Sequence, residues 1–393
     1  MLDEGKRRDK QHLIRLIGRR NNSTPNFALL IGAGASVSSG VRSSIGMVSE
    51  WRRQLYEQSK STKPFEKWLE EQDWYQDEEE YPILFEKVYD KRSQRRNYVE
   101  ECIKGAKPSW GYVYLANMIA RGYFNVVFTT NFDDLLNEAC FVYADTRPIV
   151  CAHDSAVIDI RVTSTRPKIV KLHGDFLYDS IKNTIMETES LEKNMRDKFA
   201  QFASEYGLVI VGYGGRDRSV MDTLHSMIRS GGRFPHGVYW CTREEDEASR
   251  KLRRLMSEEG VYWVKVDGFD EFMAETHAGL ELTLPDAVRE PYKATTMRLN
   301  RFIQPAEKKE HPIIKADIER LEQEVKKYEG VANELIPYVF LADREFIRGK
   351  YESATELYEK ALAQGLDVSG LGRMSASYFA LGDTDKGMSI AKK

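Results

Sequence analysis

The chain has little cysteine. Its four cysteines, Cys102, Cys140, Cys151 and Cys241, are scattered over 393 residues, and none forms a C-x-x-C pair. That excludes a zinc ribbon and a disulfide framework, and unpatterned thiols suit a reducing compartment. Long apolar runs are missing as well. No stretch approaches the roughly 18 apolar residues of a membrane span, and "MLDEGKRRDKQHLIRLIGRR" lacks the apolar centre of a secretory signal. A cytoplasmic location with no membrane contact is the expectation. An excess of either charge is also absent, since 58 basic residues face 61 acidic ones for a net charge of −3. The basic clusters "GKRRDK" and "KRSQRR" (Lys91 to Arg96) lie near acidic runs, so they read as solvated helix faces rather than nucleic-acid contacts.

What is present is an alternation of short apolar strands with helical segments. The strand runs are "NFALLIGAG", "YFNVVFTTN", "KIVKLHG", "GLVIVGYG", "GVYWCT" and "VYWVKVD". Continuous apolar strands between helices predict an α/β fold, with a Rossmann-like parallel sheet covered on both faces. A basic amphipathic helix is expected over residues 1 to about 20 (domain segment 1–26), carrying Leu13, Ile14, Leu16 and Ile17. The α/β domain is expected over 27–284, interrupted by a charged helical insertion at about 42–107. Trp74, Tyr75 and Tyr81 inside its acidic run "LEEQDWYQDEEEY" argue against disorder.

After about Leu284 the strands stop. A helical connector (285–330) and an all-helical module (331–393) are expected. Gly349 and Tyr351 are followed by Ala354, Tyr358 and Ala361, and Gly382 returns at a spacing of 33. That is close to the roughly 34-residue period of tetratricopeptide (TPR) repeats. Only one unit and part of a second are visible, so the module either packs on the α/β domain or continues in a longer chain. The ending in mid-helix favours the latter.

The candidate site lies at the carboxyl ends of the strands, where open α/β sheets bind ligands. "FALLIGAGASVSSG" (Phe27 to Gly40) gives Gly32 and Gly34 but Val37 in place of a third glycine. Such a turn lets backbone approach a phosphate at a helix N-terminus; a plain turn with Ser36, Ser38 or Ser39 as caps is the bland alternative. "FTTNFDDLLNEA" places Thr130, Asn131, Asp133 and Asp134 between strand and helix, as ligands or as caps. "KLHGD" puts His173 at a third strand end, either structural or a proton acceptor. "VGYGGRDRSV" adds Gly212, with Tyr213 stacking on a base or packing in the core.

In this order, "GAGAS…SG", "TTN-F-D", "KLHGD" and "VGYGGRD" resemble the sirtuin family over about residues 27 to 270. The likeness is closest to the bacterial sirtuin-like NADases of antiphage defence. It implies NAD as ligand, with Gly32, Ala33, Gly34 and Ser36 matching the glycine-rich NAD turn. Thr130 stands where the family's T-Q-N carries glutamine. Asn131 matches the asparagine beside the nicotinamide ribose, Asp133 the aspartate facing the carboxamide, and His173 the catalytic histidine. Gly212 matches the segment near the adenosine half, and Tyr213 and Asp217 are assigned to the adenine by proximity alone.

The resemblance has gaps. "SGIPDFR" is here "SGVRSSI" (Ser39 to Ile45), and the four-cysteine zinc module of family deacylases is absent, so no metal is expected. The implied activity is hydrolysis of NAD to nicotinamide and ADP-ribose, with Asn131 and His173 catalytic. An ADP-ribosyltransferase, a deacylase and a non-catalytic NAD sensor are the alternatives. The same branch implies a homo-oligomer gated by assembly or by a partner, such as a HerA-type ATPase or another phage sensor.

Overall fold

The structure, a computed structural model, describes residues 2–21, 24–76, 80–174, 193–246, 248–306, 312–329, 335–363 and 371–392. The chain divides into two compact units, Met1–Thr283 and Leu284–Lys393.

The first unit is built on eight strands: β1 (Arg7–Arg8), β2 (Phe27–Ile31), β3 (Val126–Thr129), β4 (Ile149–Cys151), β5 (Lys168–Lys171), β6 (Gly207–Val211), β7 (Val238–Thr242) and β8 (Val261–Lys265). They form one sheet in the order β1-β8-β7-β6-β2-β3-β5-β4, and every neighbouring pair is parallel. All residues of β2, β3, β5 and β6 are buried, as a sheet covered on both faces requires. Alternate residues such as Leu30, Phe128, Val170, Ile210 and Trp240 meet Phe199, Phe202 and Leu224 in one apolar core.

From β2 the chain passes to β3 on one side, and β6 later joins on the other. Connections that leave a central strand in opposite directions open a crevice at its carboxyl end. The expected site residues lie there.

Four strands escaped the sequence reading, two of them a short antiparallel pair outside this sheet, Arg20–Asn21 with Thr24–Pro25. β4 is three residues long, and β1 is Arg7-Arg8, which no propensity scale favours as strand. Their guanidinium groups lie over the rings of Trp263 (5.2 Å) and Tyr262 (4.1 Å), so side-chain contact on β8 sustains the pairing. The expected N-terminal helix is correspondingly shorter. α1 spans Lys10–Gly18, capped by Asp9 through the His12 amide at 3.0 Å, and it buries Leu13, Ile14 and Ile17.

The insertion contains α2 (Ser44–Ser59), α3 (Phe65–Glu70), α4 (Glu80–Val88) and α5 (Arg92–Ile103). It has its own core, in which Trp51 stacks on Phe85 at 4.8 Å and Trp68 meets Trp74 edge-on. Glu80 in the acidic run accepts two hydrogen bonds from Arg52, at 2.6 and 2.7 Å. The insertion departs after Ser39 and returns to it: Lys107 N–H donates to the Ser39 carbonyl (3.4 Å), and Ser109 N–H to its Oγ (3.0 Å). Phe132, which stands between Asn131 and Asp133, packs against this aromatic cluster.

The rest of the unit adds α6 (Trp110–Ala120), α7 (Leu135–Ala144), α8 (Asp154–Val157), α9 (Lys193–Ala203), α10 (Arg218–Arg229), α11 (Arg250–Met256) and α12 (Phe269–Gly279). The second unit is helical throughout its described residues. Gly349 (φ +71°) and Gly382 (φ +82°) supply the left-handed turns after Leu335–Ile347 and Leu371–Ala380, and each turn leads into a further helix. Ala354, Tyr358, Ala361, Met374 and Tyr378 form the core between these helices. No helix among the described residues is long and apolar enough to cross a membrane.

Candidate active site

The glycine turn after β2 is explained first by another backbone. Gly32 N–H donates to Val211 O (3.1 Å), Gly34 N–H to Gly212 O (2.8 Å) and Ala35 N–H back to Gly32 O (2.9 Å). A Cβ on Gly32 would lie 2.6 Å from Gly212 O, and one on Gly34 2.9 Å from the same atom. Gly212 has φ +67°, and a Cβ there would lie 2.5 Å from the Ala35 amide nitrogen. The two glycine loops therefore interlock.

The amides of Gly32 and Gly34 are thereby committed within the protein, so an anion at this turn would have to be met by other groups. The segment that follows, Ala33–Ser39, is a 3-10 helix. Ala33 is half-buried and Gly34 exposed. Ser36 and Ser39 are buried without capping a helix, Ser38 is exposed, and Ser43 caps α2.

Ser36 is the hub of a polar network. Its hydroxyl donates to Asp133 Oδ2 at 2.7 Å. A hydroxyl has one proton, so its other two partners must donate to it: Tyr112 Oη at 2.8 Å and Asn131 Nδ2 at 3.0 Å. Asn131 Nδ2 also donates to Gly32 O at 3.1 Å, and its backbone N–H donates to Thr129 Oγ1 at 3.0 Å. The remaining atom, Asn131 Oδ1, is buried with no partner among the described residues. Buried polar atoms are nearly always paired, so this acceptor is an exception within the network. Burial pushes the Asp133 carboxyl up; hydrogen bonds from Ser36 and the Leu135 amide oppose that shift without cancelling it.

His173 belongs to a second group at the same edge. Thr129 of β3 pairs with Lys171 of β5, so Asn131 and His173 each stand two residues beyond a paired position. His173 Nε2 lies 2.6 Å from Asp217 Oδ2. Asp217 caps α10 with Oδ1, accepting from Val220 N–H (3.0 Å) and the Ser219 hydroxyl (2.8 Å). Burial alone would raise the Asp217 carboxyl, but the His173 charge and hydrogen bond, the Val220 amide and Ser219 outweigh it and hold it at about 2. The pair joins the exits of β5 and β6, which have β2 and β3 between them in the sheet. Ser219 Oγ is 3.4 Å from the same Nε2. A Ser-His-Asp relay needs serine and aspartate on opposite ring nitrogens, so these three residues do not form one.

The structure thus joins Gly32, Ser36, Asn131 and Asp133 in one network, and His173 with Asp217 in another. Thr130 is half-buried, its amide on Ile31 O at 3.2 Å. Of the two readings for Tyr213, core packing is the one seen, with its ring 5.6 Å from Trp240. Asp217 is engaged with His173 and its own helix instead of standing free for an adenine. Tyr112 and Ser219 were missed. Tyr112 lies in "WGYVYLANMIA", which reads only as an apolar helix, whereas Ser219 sits in the cap sequence "RDRSV" and was open to recognition. Among the described residues, no group of three or more His, Cys, Asp or Glu is placed to hold a metal ion.

No curated protein matches the chain at a significant level. Solved structures of low identity do match. One Sir2 homologue in complex with NAD is 13% identical, with a TM-score of 0.41, over 69% of this chain and 93% of its own. A Sir2 enzyme studied for mechanism and regulation is 14% identical, with a TM-score of 0.40, over 72% of this chain and 98% of its own. A Sir2 bound to acetylated peptide is 13% identical, with a TM-score of 0.39, over 70% and 99%. Residues 125–264, which hold Asn131, Asp133, His173 and Asp217, match the family model of the SIR2-like domain.

Proposed function

We propose that this chain hydrolyses NAD to nicotinamide and ADP-ribose. The observation that carries the reading is the buried Oδ1 of Asn131, without a partner among the described residues, set beside the Ser36–Asp133 network and at the strand exit next to the one carrying His173. The SIR2-like match over residues 125–264, which hold Asn131, Asp133 and His173, supports NAD as the ligand.

The bond to break joins nicotinamide to ribose, and its cleavage develops oxocarbenium character at the anomeric carbon, as in glycoside hydrolysis. Asp133 orients the carboxamide of the leaving group. Asn131 Oδ1 accepts a hydrogen bond from the attacking water and holds it against the anomeric carbon. His173 bonds a ribose hydroxyl and takes the proton that the water releases, directly or through that hydroxyl. One water is consumed, the C–N bond breaks with its electron pair leaving on nicotinamide, and a C–O bond forms. The glycine turn contributes by fixing Ser36 and Asn131.

An NADase left on would exhaust the NAD of its own cell, so we read the chain as a regulated effector, in keeping with its resemblance to antiphage-defence NADases. Its helical unit is the surface for self-assembly or an activating partner, since helical repeats present such surfaces. A fully active strict monomer in a size measurement contradicts this part.

Chromatography of NAD incubated with wild type and with His173→Ala tests the reading. Nicotinamide and ADP-ribose from wild type alone support it. ADP-ribose left on protein, or an acetylated ADP-ribose formed from an acetylated peptide, replaces it with transfer or deacylation. Binding without turnover under every activator tried replaces it with a sensor.

A further inference from the structure

Asp217 has a carboxylate oxygen that its helix does not need. Capping α10 uses Oδ1, which receives the Val220 amide and the Ser219 hydroxyl, while Oδ2 is turned on His173 Nε2 at 2.6 Å. An ionised carboxylate only accepts, so the proton at this contact belongs to Nε2. Ser219 does not compete, because its own proton goes to Asp217 and its oxygen is 3.4 Å from the ring. A neutral imidazole carries one proton, and placing it on Nε2 leaves the lone pair on Nδ1.

We propose that Asp217 is a positioning residue which selects the Nε2–H tautomer of His173 and so makes Nδ1 the nitrogen that takes the proton during NAD cleavage. The final clause rests on the hydrolase reading above; the tautomer is a property of the resting protein.

Two substitutions that preserve the cap separate this from a structural role. Asparagine caps as well as aspartate, and serine does so too. In Asp217→Asn the carbonyl oxygen stays with Val220 N–H, which turns the amide NH2 toward Nε2 and drives the ring proton to Nδ1. In Asp217→Ser the carboxylate is gone and the ring keeps only the distant Ser219 hydroxyl, which can donate or accept and so selects neither tautomer. The expected ¹⁵N resonances of His173, assigned by difference against His173→Gln, show Nε2–H in wild type, Nδ1–H in the asparagine variant and a mixture in the serine variant.

Expected kcat for NAD falls by up to roughly 10⁴-fold in Asp217→Asn, the scale of a wrong histidine tautomer. The loss is smaller in Asp217→Ser, and KM is unchanged in both. A persistent Nε2–H tautomer in both variants overturns the proposal. So do equal losses of kcat that track thermal stability. If wild type leaves NAD intact, the hydrolase reading fails, and the ring resonances still decide the assignment of Asp217.

Discussion

The Gly34 amide donates to the Gly212 carbonyl at 2.8 Å, and a Cβ on either residue would collide with the other's loop. The turn that most resembles a nucleotide cradle is thus held first by its neighbour. Gly212→Ala is expected to lose about 1–3 kcal/mol to overpacking, with left-handed strain in addition. Urea unfolding measures this, and a variant of wild-type stability contradicts the interlock.

Ser36→Ala takes from Asp133 Oδ2 its only donor among the described residues, and from Tyr112 Oη its acceptor. A buried group left unpaired costs about 1–3 kcal/mol. Tyr112→Phe removes one hydrogen bond and leaves the Ser36–Asp133 bond in place, so its cost is about 1 kcal/mol. The two values compared in one denaturation series check the proton directions assigned here; the reverse order shows that they are wrong.

Acid acts on Asp217. Its folded value of about 2 lies below the ordinary carboxylate value, so its contribution to stability is present above the unfolded value near 4 and is lost as pH falls toward 2. The gap corresponds to about 2 kcal/mol. Asp133 has the opposite sign, since its raised carboxyl is relieved by protonation. Unfolding free energies between pH 5 and 2 are expected to fall less in His173→Gln, which lacks the partner charge. An identical fall in both proteins places the acid sensitivity elsewhere.

Phe132→Ala tests the link between insertion and site. The half-buried ring contacts the aromatic cluster of α2 to α5, so its loss is expected to cost about 2 kcal/mol, below the value for a fully buried phenylalanine. Protease cleavage within 42–107 should accelerate together with a loss of NAD turnover. Faster cleavage with unchanged turnover shows that the insertion does not position Asn131 and Asp133.

Six strands were legible in the sequence because each is a continuous apolar run ending in small or polar residues, a pattern that burial on both faces imposes. β1 was not, because Arg7 and Arg8 are held by rings on β8, a contact that no local pattern records. The candidate site residues were picked out by motif order, but the interlock of the two glycine loops was not foreseen. A glycine that faces a ligand and one that faces another backbone leave the same trace in sequence: both simply lack a Cβ. Asp217 was visible only as a residue close to a glycine turn. Its partner could not be named from spacing, because His173 leaves a strand that has two others between it and β6.

The double attachment at Ser39 leaves the insertion's length open. A segment that leaves and re-enters at one residue imposes no span on the sheet, and the entropy of closing a loop grows only slowly with its length. The stretch from Gly40 to Pro108 is therefore built as a cassette, whose length the sheet does not fix. Among the described residues, the surface that receives Phe132 is a contact it must keep.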